Sequence, residues 1–418
     1  MNGSPAGLSL DFGTDDVGNI VGITVGSAAN DRVYDYDDLN RLTSVVSGTA
    51  ANVEAFAYDP TGNRLSKRIG AASAVPYAYP TTSHRLQSVG GVTRSYDPAG
   101  NTTAMPAAAN AALTLVYDAR NRLSRIDGSG GTLQANHYNG RGERVRKVAG
   151  LNTALFIYDE AGRLLGEHDA NGVPRQLFVW MDDQPVAVID GGTLRYIESD
   201  HLNTPRTLID PARNVAVWRW DLNGSAFGEH AANEDPDGDG TLVKFNLRFP
   251  GQYLDAETGL HYNYFRDYEP GTGRYVESDP IGLDGGLTTF SYVGGSPVGY
   301  SDRLGLYVCR QFRDYEREGY RKRSGGRRID DDCTPPPPTS CFDCESRCEL
   351  RAIECRRRVE YAAGLLTVAS GALLVPEPLV SKICGAILFS ASIVVYAEGG
   401  ADCDRNSESC KRNCRPCQ

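Results

Sequence analysis

The stretch Tyr58-Asp59-Pro60-Thr61-Gly62-Asn63-Arg64-Leu65 decides the fold, because its pattern recurs along the first part of the chain. Tyr-Asp is followed after two residues by Gly or Asn, then by a polar residue and often by Leu. Clear copies begin at Tyr36, Tyr58, Tyr96, Tyr117, Tyr138 and Tyr158, with a weak copy at Thr14 and a degraded copy near Tyr79. A fixed spacing of about 21 residues between most copies is typical of a repeat architecture.

Each copy of the pattern predicts a β-hairpin. Gly or Asn at the fifth position favours the positive φ that a tight turn needs, and Asp at the second position can accept hydrogen bonds from turn amides. The tyrosine and the following leucine are expected to anchor the two flanking strands. Because a hairpin of this size cannot bury its own face, the copies must stack. Chance recurrence is the alternative, which seven aligned copies disfavour.

A second distinctive block begins near Tyr196. Its landmarks are Ser199-Asp200-His201-Leu202-Asn203-Thr204-Pro205-Arg206, Trp218-Arg219-Trp220, Arg248-Phe249-Pro250-Gly251-Gln252-Tyr253 and Ser278-Asp279-Pro280-Ile281-Gly282-Leu283. Repeats and block together resemble the YD repeats and repeat-associated core of RHS proteins, of the C subunits of insecticidal Tc toxins and of teneurins. In that family the repeats spiral into a hollow β-shell that encloses a toxic C-terminal segment or a linker.

The resemblance implies a mainly β chain, and the cysteine spacing described below predicts that a small α-helical, disulfide-laced hairpin follows it. We expect a partial shell of stacked YD-repeat hairpins over residues 1–190 and an RHS core plug over 191–306. A charged, proline-rich linker over 307–340 and a Cys-rich segment over 341–418 would follow. Seven or eight repeats enclose little volume, so further N-terminal RHS repeats are expected to be missing from this chain.

The resemblance also implies self-cleavage at the end of the core. In toxin-bearing relatives the core acts as an intramolecular aspartic protease that cuts after the Leu of a terminal DPxGL motif. The matching segment here reads Ser301-Asp302-Arg303-Leu304-Gly305-Leu306. It places the cut between Leu306 and Tyr307, with Asp279 and Asp302 as the catalytic carboxylates and Arg266 as the supporting cation.

Amide hydrolysis by carboxyl groups requires one ionised group to activate water and one protonated group to polarise the carbonyl, and two close carboxyls that share a proton provide both. Asp284 competes for the second role. Arg303 stands where the family has proline, which would hold the segment extended. The alternative interpretation is that Asp279 and Asp302 only form turns within the plug. Autoproteolysis is therefore the one enzymatic activity that the sequence indicates.

Asp235, Asp237 and Asp239 have the D-x-D-x-D-G spacing of a calcium loop. Position twelve is Asn246 rather than a bidentate carboxylate, so a polar insertion is the favoured interpretation and calcium the weaker one. His201 has no metal-ligand spacing around it and is interpreted as a structural hydrogen-bonding residue. No cofactor is predicted.

All 11 cysteines lie at or after Cys309, which marks a domain boundary. Two clusters of four have mirrored spacings of 3, 4 and 7 residues around Pro376-Glu377-Pro378, which predicts an antiparallel helical hairpin with arms near 340–375 and 379–417. A zinc site is the weaker alternative. The mirrored order predicts the disulfides Cys341–Cys417, Cys344–Cys414, Cys348–Cys410 and Cys355–Cys403.

The hairpin tip, over 362–397, is rich in apolar and small residues. Such helices suit close contact in lipid, so membrane insertion is one interpretation, and packing in the shell cavity or against another copy is the other. Disulfides indicate an oxidising destination, so we expect a secreted or cell-surface or envelope location; no signal peptide is apparent.

The net charge of −10 argues against a general nucleic-acid binder. Three functions stay open. The chain could be part of a polymorphic toxin with a membrane-active tail and a cognate immunity protein. It could instead be a structural, cell-surface YD-repeat protein whose tail tethers it to the envelope. It could also be an inactive fragment of a larger gene.

Overall fold

The computed structural model describes residue 8 and residues 10–25, 30–106, 112–222, 224–306 and 308–310. In these residues the chain is built mainly from antiparallel strands, and within each sheet every strand pairs with the next along the sequence. The predicted mainly β fold is confirmed. The predicted helical hairpin, its four disulfides and the 362–397 apolar segment lie outside the described residues.

The described strands form two long sheets and two short ones. The first sheet contains β1 (Asp11–Thr14), β2 (Ile20–Thr24), β3 (Arg32–Tyr36), β4 (Leu42–Ser47), β5 (Asn52–Tyr58), β6 (Arg64–Ile69), β7 (Val75–Ala78), β8 (Ser88–Val89) and β9 (Val92–Thr93). The second contains β10 (Ser95–Tyr96), β11 (Thr102–Pro106), β12 (Ala112–Tyr117), β13 (Leu123–Gly128), β14 (Gly131–Tyr138), β15 (Arg144–Ala149), β16 (Asn152–Tyr158), β17 (Leu164–His168), β18 (Pro174–Met181), β19 (Gln184–Asp190), β20 (Thr193–Ser199), β21 (Pro205–Asp210) and β22 (Val215–Arg219).

The two short sheets belong to the C-terminal block. They contain β23 (Tyr253–Asp255), β24 (Leu260–Asn263), β25 (Arg266–Glu269) and β26 (Arg274–Tyr275), and then β27 (Tyr300–Ser301) with β28 (Cys309–Arg310). Two 3-10 helices cover Gly282–Gly285 and Val293–Gly295. Among the described residues there is no helix of the length and hydropathy needed to cross a bilayer.

The repeat turns have the geometry that the pattern predicts. In the copy at Tyr58, the amides of Thr61 and Asn63 both donate to one carboxylate oxygen of Asp59, at 2.9 Å each. Gly62 donates its amide to the Asp59 carbonyl at 3.1 Å and has a φ of 99°. A side chain with a Cβ is disfavoured at such a φ, which explains why Gly or Asn recurs there.

The same turn occurs in places where the Tyr-Asp pair is absent. Asp169 precedes Gly172 and Asp200 precedes Asn203, and in each case the later residue has a positive φ and donates its amide to the Asp carbonyl. The block that begins near Tyr196 therefore starts with a further repeat turn, and the ladder of strands continues to Arg219.

The repeat tyrosines connect one hairpin to the hairpin before it. The hydroxyl of Tyr138 donates to the carbonyl of Leu123 at 2.8 Å, and that of Tyr117 donates to Thr102 at 2.9 Å. Tyr79 donates likewise to the Arg64 carbonyl at 3.0 Å, which identifies it as the expected degraded copy. Each repeat thereby satisfies a backbone acceptor of its neighbour, so stacking is built into the motif.

The expected leucine anchor is wrong in the copy at Tyr58. Leu65 is exposed, and Arg64, the second residue after the turn glycine, is buried in its place. The guanidinium of Arg64 lies over the rings of Phe56 and Phe227, 4.7 and 4.0 Å from their centroids. Leu42, also second after its turn residue, is buried as expected. The inward position is thus counted from the turn residue, because strand alternation begins there.

The block after Trp220 packs on the inward faces of the repeat strands. Aromatic pairs join the two parts, such as Phe156 with Tyr253, whose ring centroids are 5.2 Å apart. Buried ion pairs also cross between them. Arg144 forms a bidentate pair with Asp255, and Lys147 approaches the same carboxylate at 3.1 Å. Repeats and core therefore share one interior.

Candidate functional site

The loop between β24 and β25 positions the first predicted site residue. Asn263 and Arg266 pair across a two-residue turn in which Tyr264 has a φ of 55°. Arg266 is thereby placed at the start of β25, on the same strand face as Tyr268. The Arg266 guanidinium stacks on the ring of Tyr275 from β26, 3.7 Å from its centroid. This stacking fixes a cation in the interior of the core.

The Arg266 guanidinium brings together the two predicted carboxylates. Its Nη2 lies 2.9 Å from Oδ2 of Asp279 and 3.3 Å from Oδ2 of Asp302. All three side chains are nearly inaccessible to solvent. Two carboxyl groups from distant parts of the sequence thus meet at one cation in a medium of low dielectric, where charges interact more strongly than in water.

Asp302 is held by hydrogen bonds on both carboxylate oxygens. Its Oδ1 accepts the backbone amide of Leu306 at 2.9 Å, and its Oδ2 accepts the hydroxyl of Tyr275 at 2.8 Å. Its carbonyl accepts Nδ2 of Asn263 at 2.9 Å. Donors thus fix both oxygens of this carboxyl group, and Arg266 lies beside one of them.

Asp279 is in a different environment. Burial raises the pKa of its carboxyl group to about 6, although Arg266 and the Ile281 amide act to lower it. The Oδ2 of Asp279 and the carbonyl oxygen of Leu306 both border the position that a Cβ on Gly285 would occupy, the first within 3.0 Å of it and the second at 3.4 Å. The Asp279 carboxyl group and the carbonyl of the predicted cleavage bond therefore line the same space at Gly285. Tyr307, on the other side of that bond, lies outside the described residues.

The segment from Asp302 to Leu306 is fixed along its length by the β24–β25 loop. The amide of Phe265 donates to the Leu304 carbonyl at 3.1 Å, and Nε of Arg266 donates to the Gly305 carbonyl. Two carbonyls of the segment, those of Leu304 and Gly305, are thus held just before the predicted bond.

Arg303, which replaces the family's proline, is anchored on both its backbone and its side chain. Its carbonyl packs against the Cα of Gly251, where a Cβ would overlap it. Its guanidinium pairs with Asp183 in the turn between β18 and β19. A side-chain ion pair to the repeats therefore contributes the restraint that a proline would give through its φ.

These contacts fit both interpretations of the carboxylates. Asp279 accepts the amide of Ile281, and Asp302 accepts that of Leu306, so each also forms the local turn that the structural interpretation requires. The meeting of the two carboxylates at Arg266 is an additional feature that turn formation does not need. Asp284, the competing candidate, lies on the 3-10 helix Gly282–Gly285 and acts on Asp279 only as a nearby negative charge.

A second carboxyl pair, which the sequence did not indicate, lies next to Arg266. Glu277 accepts the backbone amide of Asp267 at 2.8 Å, and both residues are buried. Burial raises the pKa of Asp267 to about 7, with Arg144 acting against that rise, and burial and the Asp267 charge raise that of Glu277. The pair can hold a shared proton near neutral pH. Adjacency to Arg266 was the signal that could have identified Asp267.

A cleft of about 1120 Å³ opens beside both carboxyl pairs. Its lining includes Asp279, Glu277, Phe265, Asn101 and Arg122. A polar cleft of this size can hold water close to the nearly inaccessible Asp279 side chain, and a hydrolytic reaction would consume one such water.

Arg213, in the turn between β21 and β22, is a counter-cation of the acidic loop. The ligand oxygens of Asp235, Asp237 and Asp239 lie within 4.8 Å of one another, and Nη1 of Arg213 is 2.7 Å from both Asp237 and Asp239. The guanidinium thus pairs with two of the three carboxylates that a calcium ion would use, and the polar insertion stays a prediction. Nε2 of His201 is 2.7 Å from the Val298 carbonyl, a structural contact as expected.

Comparison with known proteins gives one family and several relatives. The model of the teneurin YD-shell matches residues 6–285. The chain is 31% identical over 247 residues to the double-stranded DNA deaminase toxin A of Burkholderia cenocepacia, which covers 50% of this chain and 16% of that protein. It is 27% identical over 266 residues to the toxin protein Tse5 of Pseudomonas aeruginosa, which covers 54% of this chain and 19% of that toxin. The chain thus spans under a fifth of these relatives.

Among solved structures, the chain resembles the Tc holotoxin pore of Photorhabdus luminescens, which contains TccC3. The TM-score is 0.57 at 17% identity, and the match covers 78% of this chain and 17% of that chain. The TcdB2-TccC3-Cdc42 structure gives a TM-score of 0.56 at 19% identity over 71% of this chain and 17% of that chain. At such identities the likeness concerns the fold, which is that of a YD shell.

Proposed function

Because the chain belongs to the teneurin YD-shell family and its relatives include bacterial toxins, we propose that it is the C-terminal part of an RHS-type toxin whose core cuts its own chain after Leu306. The observation that supports this most is the meeting of Asp279 and Asp302 at Arg266, beside the Leu306 carbonyl. Release of the segment after the core is the purpose that such a cut would serve.

The two carboxyl groups divide the chemistry according to their surroundings. In the proposed reaction Asp279 is the acid that donates a hydrogen bond to the Leu306 carbonyl oxygen, and Asp302, held by Arg266 and Tyr275, is the base that takes a proton from the attacking water. Water adds to the carbonyl carbon, the bond to the Tyr307 nitrogen breaks, and that nitrogen leaves with a proton as a free amine. The products are a carboxyl group on Leu306 and a new N-terminus on Tyr307, so one water molecule is consumed.

The released segment would be the effector. We propose that its laced helical hairpin acts at a membrane through 362–397 after delivery outside the producing cell, and that a cognate immunity protein protects the producer. The names of the relatives as toxins support this context. Leakage of dye from liposomes by the segment 307–418 tests the membrane activity, and absence of both leakage and binding would contradict it.

The proposed cleavage is tested by cell-free synthesis of the full chain at pH 5.5 to 8.5, with cleavage followed over time. Because burial raises the pKa of Asp279 to about 6, we expect the rate to fall about tenfold per pH unit well above that value. Asp279→Asn and Asp302→Asn should reduce the rate by about 10²-fold or more. Asp284→Asn removes a nearby negative charge that acts to raise the pKa of Asp279, so this variant should still cleave, with the fall in rate moved to lower pH.

Two results would contradict the proposal. One is a wild-type chain that stays intact at every pH. The other is cleavage that continues unchanged in Asp279→Asn, which would leave only the turn-forming role for that residue.

A further inference from the structure

The approach of Asp279 to the predicted bond depends on a gap in the side-chain packing at Gly285. A Cβ on Gly285 would lie within 3.0 Å of both the Oδ2 and the carboxyl carbon of Asp279 and 3.4 Å from the Leu306 carbonyl oxygen. Real Cβ atoms essentially never come so close to another atom. The absence of a side chain at Gly285 thus leaves the space that the Asp279 carboxyl group occupies next to the Leu306 carbonyl.

The backbone of Gly285 does not itself require glycine. Gly285 ends the 3-10 helix Gly282–Gly285, and its φ is not in the left-handed region. Gly282 and Gly286, by contrast, have φ values of 62° and 128°, and a Cβ on either would meet nothing within 4 Å. Glycine at position 285 therefore allows other atoms to approach closely, whereas Gly282 and Gly286 allow the backbone to adopt a positive φ.

We propose that Gly285 is a positioning residue for the self-cleavage reaction: its lack of a side chain admits the Asp279 carboxyl group to the Leu306 carbonyl. This role rests on the proposed self-cleavage. It adds Gly285 to the carboxylates as the residue that sets how closely Asp279 approaches the Leu306 carbonyl. A methyl group here would overlap the Asp279 carboxyl group and displace it from its present contacts with Arg266 and the Ile281 amide.

The test uses the full-length chain and four forms of it: wild type, Gly285→Ala, Asp279→Ala and the double variant. Gly285→Ala should slow cleavage at least tenfold and move the pH at which the rate falls, since the displaced Asp279 carboxyl group has new surroundings. Gly140→Ala is the matched control. Gly140 also lacks a left-handed φ, and a Cβ there would meet nothing within 4 Å, so its rate should equal that of wild type.

Thermal unfolding of the same chains tests the contact without relying on cleavage. Gly285→Ala should lower the melting temperature when Asp279 is present and leave it unchanged when residue 279 is Ala, because the double-mutant cycle isolates the pairwise clash. An equal loss in both backgrounds, or no loss in either, would overturn the inference.

The two proposals fail in different ways. If wild type cleaves and Gly285→Ala cleaves at the same rate and pH, Gly285 has no positioning role and the cleavage proposal stands. If wild type does not cleave, the proposed function is wrong, and the unfolding cycle alone then decides whether Gly285 makes room for Asp279.

Discussion

The repeat turn at Asp59 and the core segment at Asp302 use one local device for different ends. In both, a carboxylate oxygen accepts the amide of the fourth residue along, Asn63 in one case and Leu306 in the other, at 2.9 Å. The partners of the second carboxylate oxygen differ between the two residues. In Asp59 it accepts the side chain of Asn63, whereas in Asp302 it meets Tyr275 and Arg266, which are 27 and 36 residues away.

The partners of the second oxygen thus distinguish a purely structural turn from the turn at the proposed cleavage site. Asp59 satisfies both of its carboxylate oxygens within four residues, so its turn is specified by the local sequence. Asp302 uses one carboxylate oxygen for a local hydrogen bond. Its other oxygen lies beside a buried cation that also contacts a second carboxyl group. The core thus contains the same kind of turn as the repeats, but there the turn is connected to the groups that we propose perform hydrolysis.

The largest expected effect comes from breaking a long-range pair that joins repeats to core. Arg144→Ala leaves Asp255 buried without its bidentate partner. Although burial alone would raise it, Arg144 and Lys147 hold the pKa of Asp255 at about 2. We expect a loss of about 3–5 kcal/mol in the free energy of unfolding. Denaturant titration measures it, with exposed Arg146→Ala as the control, and a loss under about 1 kcal/mol would show that repeats and core are weakly coupled.

Substitutions at two turn glycines allow a turn that contacts the core to be compared with a turn that does not. Gly162 and Gly172 have φ values of 76° and 79°, but a Cβ at 162 would come within 2.8 Å of Tyr264, and one at 172 would meet nothing within 4 Å. Gly172→Ala should cost about 1–2 kcal/mol from its backbone alone. Gly162→Ala should cost about 1–3 kcal/mol more, since Tyr264 must move. Equal losses in denaturant titration would contradict a packed contact there.

The pair Asp267 and Glu277 should make stability depend on pH. Because burial raises the pKa of Asp267 to about 7 in the folded chain, its contribution is present below about pH 4 and is lost as the pH rises through 7. Wild type should therefore lose stability between about pH 4 and 7, with little further loss from this group above pH 7. Asp267→Asn should lose less, by on the order of 3 °C in melting temperature. Parallel melting curves for the two chains over this range would show that Asp267 does not titrate there.

The smallest effect is expected at the ion pair of Arg303 with Asp183. Both side chains are partly exposed, so Asp183→Ala should change the free energy of unfolding by less than about 1 kcal/mol. Its effect on cleavage should be at most a few-fold and should vanish at high salt, because screening already weakens the pair. A larger loss that salt does not alter would indicate that Asp183 acts through more than charge.

The repeats could be predicted from the sequence because their information is local. The turn residue, the Asp and the tyrosine lie within five positions, and their geometry is as expected. The copies at Asp169 and Asp200 were missed because a Tyr-Asp pair was required, although Asp-x-x-Gly or Asp-x-x-Asn alone would have identified them. Leu65 was assigned to the interior because its position was counted from the tyrosine instead of the turn residue.

The site could be predicted only where a motif named its residues. Asp279, Asp302 and Arg266 came from the resemblance, and the structure brings them together. Asp267 and Glu277 gave no sequence signal of their pairing, since it arises only when β25 and the chain after β26 pack in the interior. The close contact at Gly285 likewise depends on how a 3-10 helix meets a segment some twenty residues later, which no spacing rule specifies.

Mass spectrometry of the full-length chain, purified at pH 6 and analysed with and without reduction, tests the central claim most directly. We expect two polypeptides, one ending in the carboxyl group of Leu306 and one beginning with Tyr307, and a single intact polypeptide for Asp279→Asn. An intact wild-type chain, or a cut at any other bond, would contradict the claim that the carboxylates at Arg266 act on the bond after Leu306.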